Sequence, residues 1–537
     1  MASTMQFVDQ VSTHRFPSTT SSYRPANRAS SMQSSFHQNN KPEKAKNGCK
    51  RKYQDSTKHD GSRFKRRGRE HQNRHDFVNL NTYEDIGDVI EVAFNHQHLS
   101  NRNTSAVWHC LSKMITNSGN FQKQHQERHL SQLHHKLNTL LTLTTYGSEE
   151  YTPMQLNQTA LSMAKIIKAV RFHGNEQTSY HQVFWDLLIG RGMKRKESLF
   201  RGITYAAVPL LRRFDPQGYS SIVYACAIAD VNPTFRGSTL FECVADGIIA
   251  LGDLGSFQPL NLSNIVWAFA TAKVCHRHLF DKVAHEVVDH RDLRDFKEQA
   301  LSNILWAYAT ARVPCPLLFK KVADKVVAHN HLGLFKPQAL SNIVWAFATA
   351  QVSHESLFDK VAGEVIARHN LRSFNSQDLS MIVWAYAVAK ASCPPLFEKL
   401  ACEVFARHDL GYFNPQALSN IVWAFAKANV SNISLFDKVA GEVVERRDLR
   451  SFKPQDLNNI VWAYATAQVS NVRLFCKVAG ELNACRELES FDPRYLSSIV
   501  SSYAVAKVSA PVLFEGMAYA VLARRDELAY REISTIL

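Results

Sequence analysis

A short segment of the chain, LSNIVWAFATAKV at residues 262–274, returns in closely similar form throughout its C-terminal half. The tryptophans of this segment recur every 39 residues, at Trp267, Trp306, Trp345, Trp384, Trp423 and Trp462. A single unit of this length cannot bury its own apolar face, so units of this kind stack on one another and share one continuous core. The period therefore predicts a solenoid instead of a fold with a single compact core.

Each repeat predicts two helices. A phenylalanine opens each unit from Phe257 to Phe491, and a start signal such as Asn414-Pro415 follows it. An N-cap side chain followed by proline at the first helical position favours the start of a helix. After a short polar turn, apolar residues fall at i, i+3, i+4, i+7 and i+8 from Phe280, which is the spacing of one helix face. We expect an all-α fold, an α-α superhelix of two-helix repeats of about 39 residues.

The chain divides into three predicted segments. Residues 1–75 are rich in Ser, Thr, Asn, Gln, Lys and Arg without hydrophobic periodicity, which indicates a disordered basic tail. Residues 76–205 read as divergent repeats, with Trp108 and Leu161 in the position of the recurring tryptophan. Residues 206–537 form the regular array, whose first unit opens at Phe214, 43 residues before the next. The last repeat is incomplete, which fits either a shortened cap or a fragment of a longer sequence.

The charge of the chain favours a polyanionic partner. The formal net charge is +15, and residues 1–80 hold 16 Lys and Arg against 6 Asp and Glu. Such a balance is typical of proteins that bind nucleic acid. No apolar run approaches the roughly 18 residues of a membrane span, so no membrane partner is expected.

No metal, cofactor or small-molecule substrate is predicted. The ten cysteines show neither CxxC spacing nor a pairing pattern, which favours a reducing intracellular compartment and predicts neither a zinc site nor a disulfide framework. One group of histidines reads as a solvated helix face because no matching Cys or acidic ligand accompanies it. It comprises His125, His129, His134 and His135.

The first helix of each repeat offers columns that could read RNA bases. The tryptophans could stack on bases, but their uniformity favours a role as a wedge between repeats. A recurring asparagine could pair with base edges or form a ladder that satisfies neighbouring backbone groups, and a variable polar position lies at the end of the same helix. The candidate base-reading residues are Asn264, Asn303, Asn342, Asn420, Asn459, Lys273, Arg312, Gln351 and Lys390.

The second helix carries two charged columns. A lysine that precedes a glutamate by four residues, as Lys282 precedes Glu286, reads as solvated surface. Basic residues at the end of this helix could complement its macrodipole or form a track for RNA phosphates, and the track is the favoured interpretation. The candidate phosphate-binding residues are Arg291, Arg368, Arg407, Arg446, Arg447, Arg486, Arg524 and Arg525.

The repeat also resembles a known class of helical repeat. The unit Phe-x-Pro-Gln-x-Leu-Ser-Asn-Ile-Val-Trp-Ala-Phe-Ala-x-Ala, followed by Leu-Phe-x-Lys-Val-Ala, is similar to octotricopeptide-type repeats and to repeats of FAST-kinase-like and RAP-domain proteins. The likeness spans residues 214–530 and extends more faintly from residue 100. It implies binding of single-stranded RNA in mitochondria or plastids, for transcript stability, processing, ribosomal RNA maturation or translation. No residues are left for the RAP domain that closes many such proteins, so the nuclease-like activity of that domain is not carried over.

Two functions are therefore open. The first is an RNA-binding adaptor that works with other RNA-processing proteins, and the second is a scaffold for protein partners without direct RNA binding. No convergent nucleophile, base or metal set predicts an enzyme. The Ser- and Thr-rich first forty residues, with Asp9 as their one acid, predict a mitochondrial or plastid transit peptide. Two basic clusters twelve residues apart, starting at Lys50 and Lys65, keep a nuclear alternative open.

Overall fold

The protein is an all-α solenoid, as the repeat predicts. A computed structural model of the chain describes residues 86–95, 101–116, 127–172, 179–189, 193–484 and 491–523. These ranges contain 22 α-helices, short 3₁₀ turns and one two-stranded hairpin. Within them, no helix combines the length and the apolar character that a membrane span requires. The tail predicted to be disordered, residues 1–75, lies outside the described ranges.

Six helices precede the regular array. They are α1 (Ile86–Asn95), α2 (Asn101–Thr116), α3 (Glu127–Gly147), α4 (Pro153–Phe172), α5 (Ser179–Leu188) and α6 (Met193–Ala207). α2 packs against α4 along its length, as the first helices of neighbouring repeats do in the regular array. Trp108 of α2 is buried, and its indole N–H donates to the Thr144 hydroxyl at 2.7 Å.

The regular array alternates first helices, called A helices here, with second helices, called B helices. From α7 onward the odd-numbered helices are A helices and the even-numbered helices are B helices. In chain order they are α7 (Pro216–Ala229), α8 (Leu240–Ile249), α9 (Pro259–Thr271), α10 (Arg277–Asp289), α11 (Glu298–Thr310), α12 (Pro316–Val327), α13 (Pro337–Thr349), α14 (Glu355–Ala367), α15 (Ser376–Ala389), α16 (Pro394–Ala406), α17 (Pro415–Lys427), α18 (Ile433–Glu445), α19 (Pro454–Thr466), α20 (Val472–Ala484), α21 (Pro493–Ala506) and α22 (Pro511–Ala523).

The A helices form the continuous core of the array. Each packs along its length against the A helix before it and the one after it, beginning with α4 against α7, whereas neighbouring B helices touch at fewer positions. An A helix is therefore buried on most sides: Ile265 and Phe269 are fully buried, and Ala268 is as well. Hydrogen bonds join the repeats, as the Tyr308 hydroxyl donates to the carbonyl of Phe280 in the preceding repeat at 2.5 Å.

The helix boundaries follow the expected chemistry. At the start of α17, the side chain of Asn414 accepts the N–H of Ala417 at 2.8 Å, and Pro415 occupies the first helical position. At the end of α9, the N–H of Val274 donates to the carbonyl of Phe269 at 3.0 Å, a bond that requires the intervening Lys273 to adopt a left-handed conformation.

The hairpin accounts for the one irregular spacing, 43 residues instead of 39. Strand β1 (Thr234–Phe235) pairs antiparallel with β2 (Ser238–Thr239) between α7 and α8. The two turn residues, Arg236 and Gly237, have φ angles of 49° and 96°, as in a type I′ turn. The four additional residues of this repeat therefore form a hairpin at the junction of its A and B helices.

Candidate nucleic-acid interface

Four of the predicted phosphate-binding arginines hold neighbouring repeats together. Arg368 is typical of them: its Nε lies 2.9 Å from Glu364 Oε1, and a guanidinium N–H donates to the carbonyl of Phe335 at 2.8 Å. Its guanidinium also lies 5.2 Å from the ring centroid of Phe374, which opens the next repeat. Arg368 thus joins its own B helix to the linkers on both sides. The other members of this clamp are Arg291 with Glu286, Arg407 with Glu403 and Arg446 with Glu442.

The clamp reduces the exposed surface and the unpaired charge with which these arginines could bind a ligand. Their side chains are only 17–20% exposed, and each is paired with a carboxylate. The structure therefore assigns them to packing between repeats, and the function proposed below does not rest on them. Arg447 is exposed, whereas Arg486, Arg524 and Arg525 lie outside the described residues.

The lysine column of the B helices also joins repeats, and its interpretation as merely solvated surface is wrong. Lys321 Nζ donates to the carbonyl oxygens of Val287, Val288 and Arg291 at 2.6–3.1 Å. These carbonyls lie at the C-terminal end of the preceding B helix, where the macrodipole favours a cation. Lysines at the same position contact the end of the preceding repeat in the same way: Lys282, Lys360, Lys438 and Lys477.

The tryptophans form a ladder along the A helices, in agreement with the favoured structural interpretation. The ring centroids of Trp306 and Trp345 lie 6.4 Å apart, and those of Trp345 and Trp384 lie 6.5 Å apart. Trp267, Trp306 and Trp345 are 6–8% exposed. The rings from Trp267 to Trp384 thus pack one against the next, and Trp423 packs in the same way against Trp462.

The predicted base-reading asparagines stand beside this ladder without internal partners. None of the five side chains makes a hydrogen bond to another described residue, and the Oδ1 atoms of Asn342 and Asn459 are buried without a partner. An asparagine ladder that satisfies backbone groups is therefore not what the described residues show. The set, called the amide column here, is Asn264, Asn303, Asn342, Asn420 and Asn459. Three of these side chains are half-buried and two are buried. Buried amide oxygens are normally paired, so this column calls for an explanation.

A second column extends from the ends of the A helices. Its members are exposed and have left-handed backbone conformations with φ between 54° and 57°. This set, called the C′ column here, is Lys273, Arg312, Gln351, Lys390, Asn429, Gln468 and Lys507. The first four are predicted base-reading residues. Each asparagine of the amide column lies on the A helix that a C′ residue terminates. It precedes the tryptophan of that helix by three residues and the C′ residue by nine. The two columns therefore run along the same layer of the array.

A buried carboxyl group lies at the start of α15. Asp378 is 3% exposed, and its oxygens accept the N–H of Asn375 and the hydroxyl of Ser341 in the preceding repeat, each at 3.1 Å. Burial raises the pKa of Asp378 to about 6, although both hydrogen bonds act to lower it. At the same position Asn261 accepts the N–H of Gln258 and donates to Ser220 at 3.2 Å.

Comparison with known families gives one extended match. The model of the RNA-editing substrate-binding complex 6 protein family matches residues 226–409 and again residues 338–537, so the two matches together span residues 226–537. This is more than half of the chain. The chain belongs to this family. The narrower resemblance to octotricopeptide-type and FAST-kinase-like proteins stays a prediction.

Two further comparisons add no evidence about function. No curated protein matches the chain in sequence. A chain of the structure titled "Homology model of the full-length AP-3 complex in an intermediate open conformation" is similar at 11% identity, over 85% of this chain and 84% of that chain, with a TM-score of 0.23. A score this low supports no conclusion about the fold or the function.

Sequence reasoning identified the columns but missed how their members are engaged. The clamp was hidden because the carbonyls that Arg368 contacts precede it by 33 and 36 residues, so no local spacing indicates them. The left-handed C′ residues were hidden because glycine is the residue that normally signals this conformation. The recurrence of a valine or alanine directly after each C′ residue, as at Val274 and Ala391, is the one signal that could have marked the position.

Proposed function

We propose that the chain binds single-stranded RNA directly, as an adaptor and not as an enzyme, along the amide and C′ columns of its A helices. Membership in a family described by binding of RNA-editing substrates supports an RNA ligand. The observation that carries the proposal is the amide column, five asparagines whose side chains have no hydrogen-bonding partner among the described residues. Amides are suited to pair with base edges, and the Watson–Crick edges are free only in unpaired RNA.

The C′ column supports the same surface by a different argument. A residue other than glycine is disfavoured in the left-handed conformation by about 1 kcal/mol, and asparagine less so. Seven repeats nevertheless keep a polar side chain there, and all seven side chains are exposed. The helix macrodipole explains the cations at Lys273 and Lys390 but not the neutral Gln351 and Gln468. Exposed polar side chains at backbone positions that cost stability are expected where a ligand uses them.

The two columns differ in how they would contribute. The amide column varies little from repeat to repeat, so its half-buried members, Asn264, Asn303 and Asn420, would contact nucleotides in a similar way. The C′ column alternates among cations and neutral amides, so it would supply phosphate contacts in some repeats and base contacts in others. Selectivity among RNA sequences is therefore expected to depend on the C′ column.

Glycine substitution separates the fold from the function. We expect the combined variant Lys273→Gly, Gln351→Gly, Lys390→Gly and Gln468→Gly to fold as well as the original chain or better, because glycine is favoured at each left-handed position. Its affinity for single-stranded RNA should fall about tenfold or more, as four hydrogen-bonding side chains at about 0.5 kcal/mol each are removed. Fluorescence anisotropy with a labelled RNA pool measures the affinity.

A matched control removes two positive charges, as the four-site variant does, but at positions outside the C′ column. Arg372 and Arg450 are exposed linker residues, and Gly333 and Gly411 occupy the same position in other repeats. The double variant Arg372→Gly, Arg450→Gly should therefore fold normally and keep most of its RNA affinity. An unchanged affinity of the four-site variant, or an equal loss in the control, would remove the C′ column from the proposal.

The alternative function is a protein scaffold without direct RNA binding. One observation favours it: exposed apolar side chains recur in the first turn of the B helices. Leu317, Ile433, Val472 and Val512 are 56–68% exposed. A row of apolar residues of this kind suits contact with another protein. Failure of the intact chain to bind any RNA of the pool at low salt would favour this alternative.

A further inference from the structure

The positive charge of the chain is not distributed along the regular array. Residues 214–537 contain 32 Lys and Arg and 32 Asp and Glu, a net charge of zero. Residues 151–213 contain ten Lys and Arg and three Asp and Glu, a net charge of +7. The net charge therefore attracts a polyanion more strongly to the segment before the array than to the array as a whole.

The hairpin adds aromatic surface at the edge of this basic segment. The ring of Phe235 in β1 meets the ring of Tyr205 in α6 edge to face, with centroids 5.1 Å apart. Arg236, in the turn, lies over the Phe235 ring at 5.2 Å. Arg201 precedes Tyr205 by one turn on the same face of α6. These four residues, Arg201, Tyr205, Phe235 and Arg236, are called the hairpin patch here.

The arginines of the hairpin patch differ from those of the clamp. Arg201 and Arg236 are exposed and make no ion pair with a described residue, whereas Arg368 and its equivalents are paired with glutamates. Tyr205 is 47% exposed, although it is a large aromatic side chain. Two more exposed arginines, Arg212 and Arg213, follow in the 3₁₀ turn after α6. The unpaired cations of this region are thus free to bind an anion.

We propose that the hairpin patch is a separate anchoring site for single-stranded RNA, outside the columns of the regular array. This inference rests on the proposed function, because it takes RNA to be the ligand. Arg201 and Arg236 would each contact a phosphate, and the exposed ring of Tyr205 would stack on an unpaired base. A sequence-independent anchor of this kind would hold the RNA beside the near-neutral array, whose columns then contact the bases.

The turn chemistry provides a variant that should preserve the fold. Asn-Gly is the favoured pair in a type I′ turn, so Arg236→Asn removes the guanidinium and strengthens the hairpin. Arg201→Gln removes the second cation from an exposed helical position. In the double variant, the slope of log affinity against log salt should fall by about 1.4, at about 0.7 for each lost phosphate contact. If the variant and the original chain bind equally at 1 M salt, this difference in slope makes the variant roughly 25-fold weaker than the original chain at 0.1 M salt.

Tyr205→Ala tests the stacking component separately. Its affinity should fall about fivefold or more, with a salt slope unchanged from that of the original chain, because stacking releases no counterions. The matched control is Arg372→Gln with Arg450→Asn, which removes two exposed cations from linkers of the array and should leave the salt slope nearly unchanged.

The experiment is a salt titration of RNA binding by the full chain and these variants, followed by fluorescence anisotropy. Weaker binding with a lower slope in the patch variant alone supports the anchor. Equal affinity and slope in the patch variant and the original chain would overturn the anchor while leaving RNA binding intact. If the patch variant binds RNA as the original chain does but no longer binds a purified protein partner, the hairpin patch is a protein contact and not an RNA anchor. Absence of RNA binding by the original chain would overturn both proposals.

Discussion

Replacing the buried Asp378 by asparagine should stabilise the array at neutral pH. The carboxyl group lies between two A helices, and burial raises its pKa from 3.8 to about 6. At neutral pH the ionised carboxylate therefore destabilises the folded state by a free energy that is absent in the unfolded chain. A shift of this size corresponds to up to about 3 kcal/mol, at about 1.4 kcal/mol per unit. Asn261, at the same position three repeats earlier in the array, shows that an amide can make equivalent hydrogen bonds.

The sign of the pH dependence follows from the raised pKa. Because the folded state holds this proton more tightly than the unfolded state, the stabilising contribution is complete below pH 3.8 and is lost as the pH rises through about 6. The Asp378→Asn variant lacks this dependence. The free energy of unfolding of the variant should exceed that of the original chain at pH 7.5, and the difference should shrink at pH 5 and nearly vanish near pH 4.

Urea denaturation of the full chain, followed by circular dichroism at each pH, measures this difference. Asp359→Asn is the matched control, because Asp359 is exposed on a B helix and makes no ion pair with a residue that the structure describes. It should change the stability by less than about 0.5 kcal/mol at either pH. The reasoning is refuted if Asp378→Asn destabilises the chain at pH 7.5, or if its effect is the same at pH 7.5 and pH 5.

Three further outcomes are expected. Arg368→Ala should destabilise the chain by about 1–3 kcal/mol because it leaves Glu364 and the Phe335 carbonyl without their donor. The control, Arg447→Ala at an exposed position, should change stability by less than about 0.5 kcal/mol. Thermal unfolding measures both, and equal effects would contradict the clamp. Trp345→Ala should cost about 3–5 kcal/mol by opening a cavity in the ladder, and a loss below about 1 kcal/mol in urea denaturation would contradict that packing. Residues 1–75 fused to a fluorescent protein should direct it to mitochondria or plastids on microscopy, and accumulation in the nucleus would support the alternative signal.

The repeat was predictable because its determinants are local. A period of 39 residues, an N-cap followed by proline, and an apolar stripe are all readable within one unit, and the A and B helices are found where these signals place them. The spacing of 43 residues also revealed an irregular unit. Its hairpin was not predicted, because Arg236 occupies a left-handed turn position where asparagine or glycine is the usual signal.

The engagement of the charged columns could not be predicted, because it depends on contacts between repeats. Lys321 and Glu364 look like surface residues when only neighbours three or four positions away are considered. In the fold, Lys321 contacts the end of the preceding B helix, and Glu364 is held by Arg368 against a linker. Uniform columns of charged residues can therefore be structural.

The most direct test of the account is the affinity of the purified full chain for a labelled pool of single-stranded RNA at low salt. We expect saturable binding that weakens as salt is raised and that a duplex of the same length does not reproduce. Equal binding to duplex RNA would contradict recognition of base edges by the A helices, and no binding at low salt would contradict the proposed function itself.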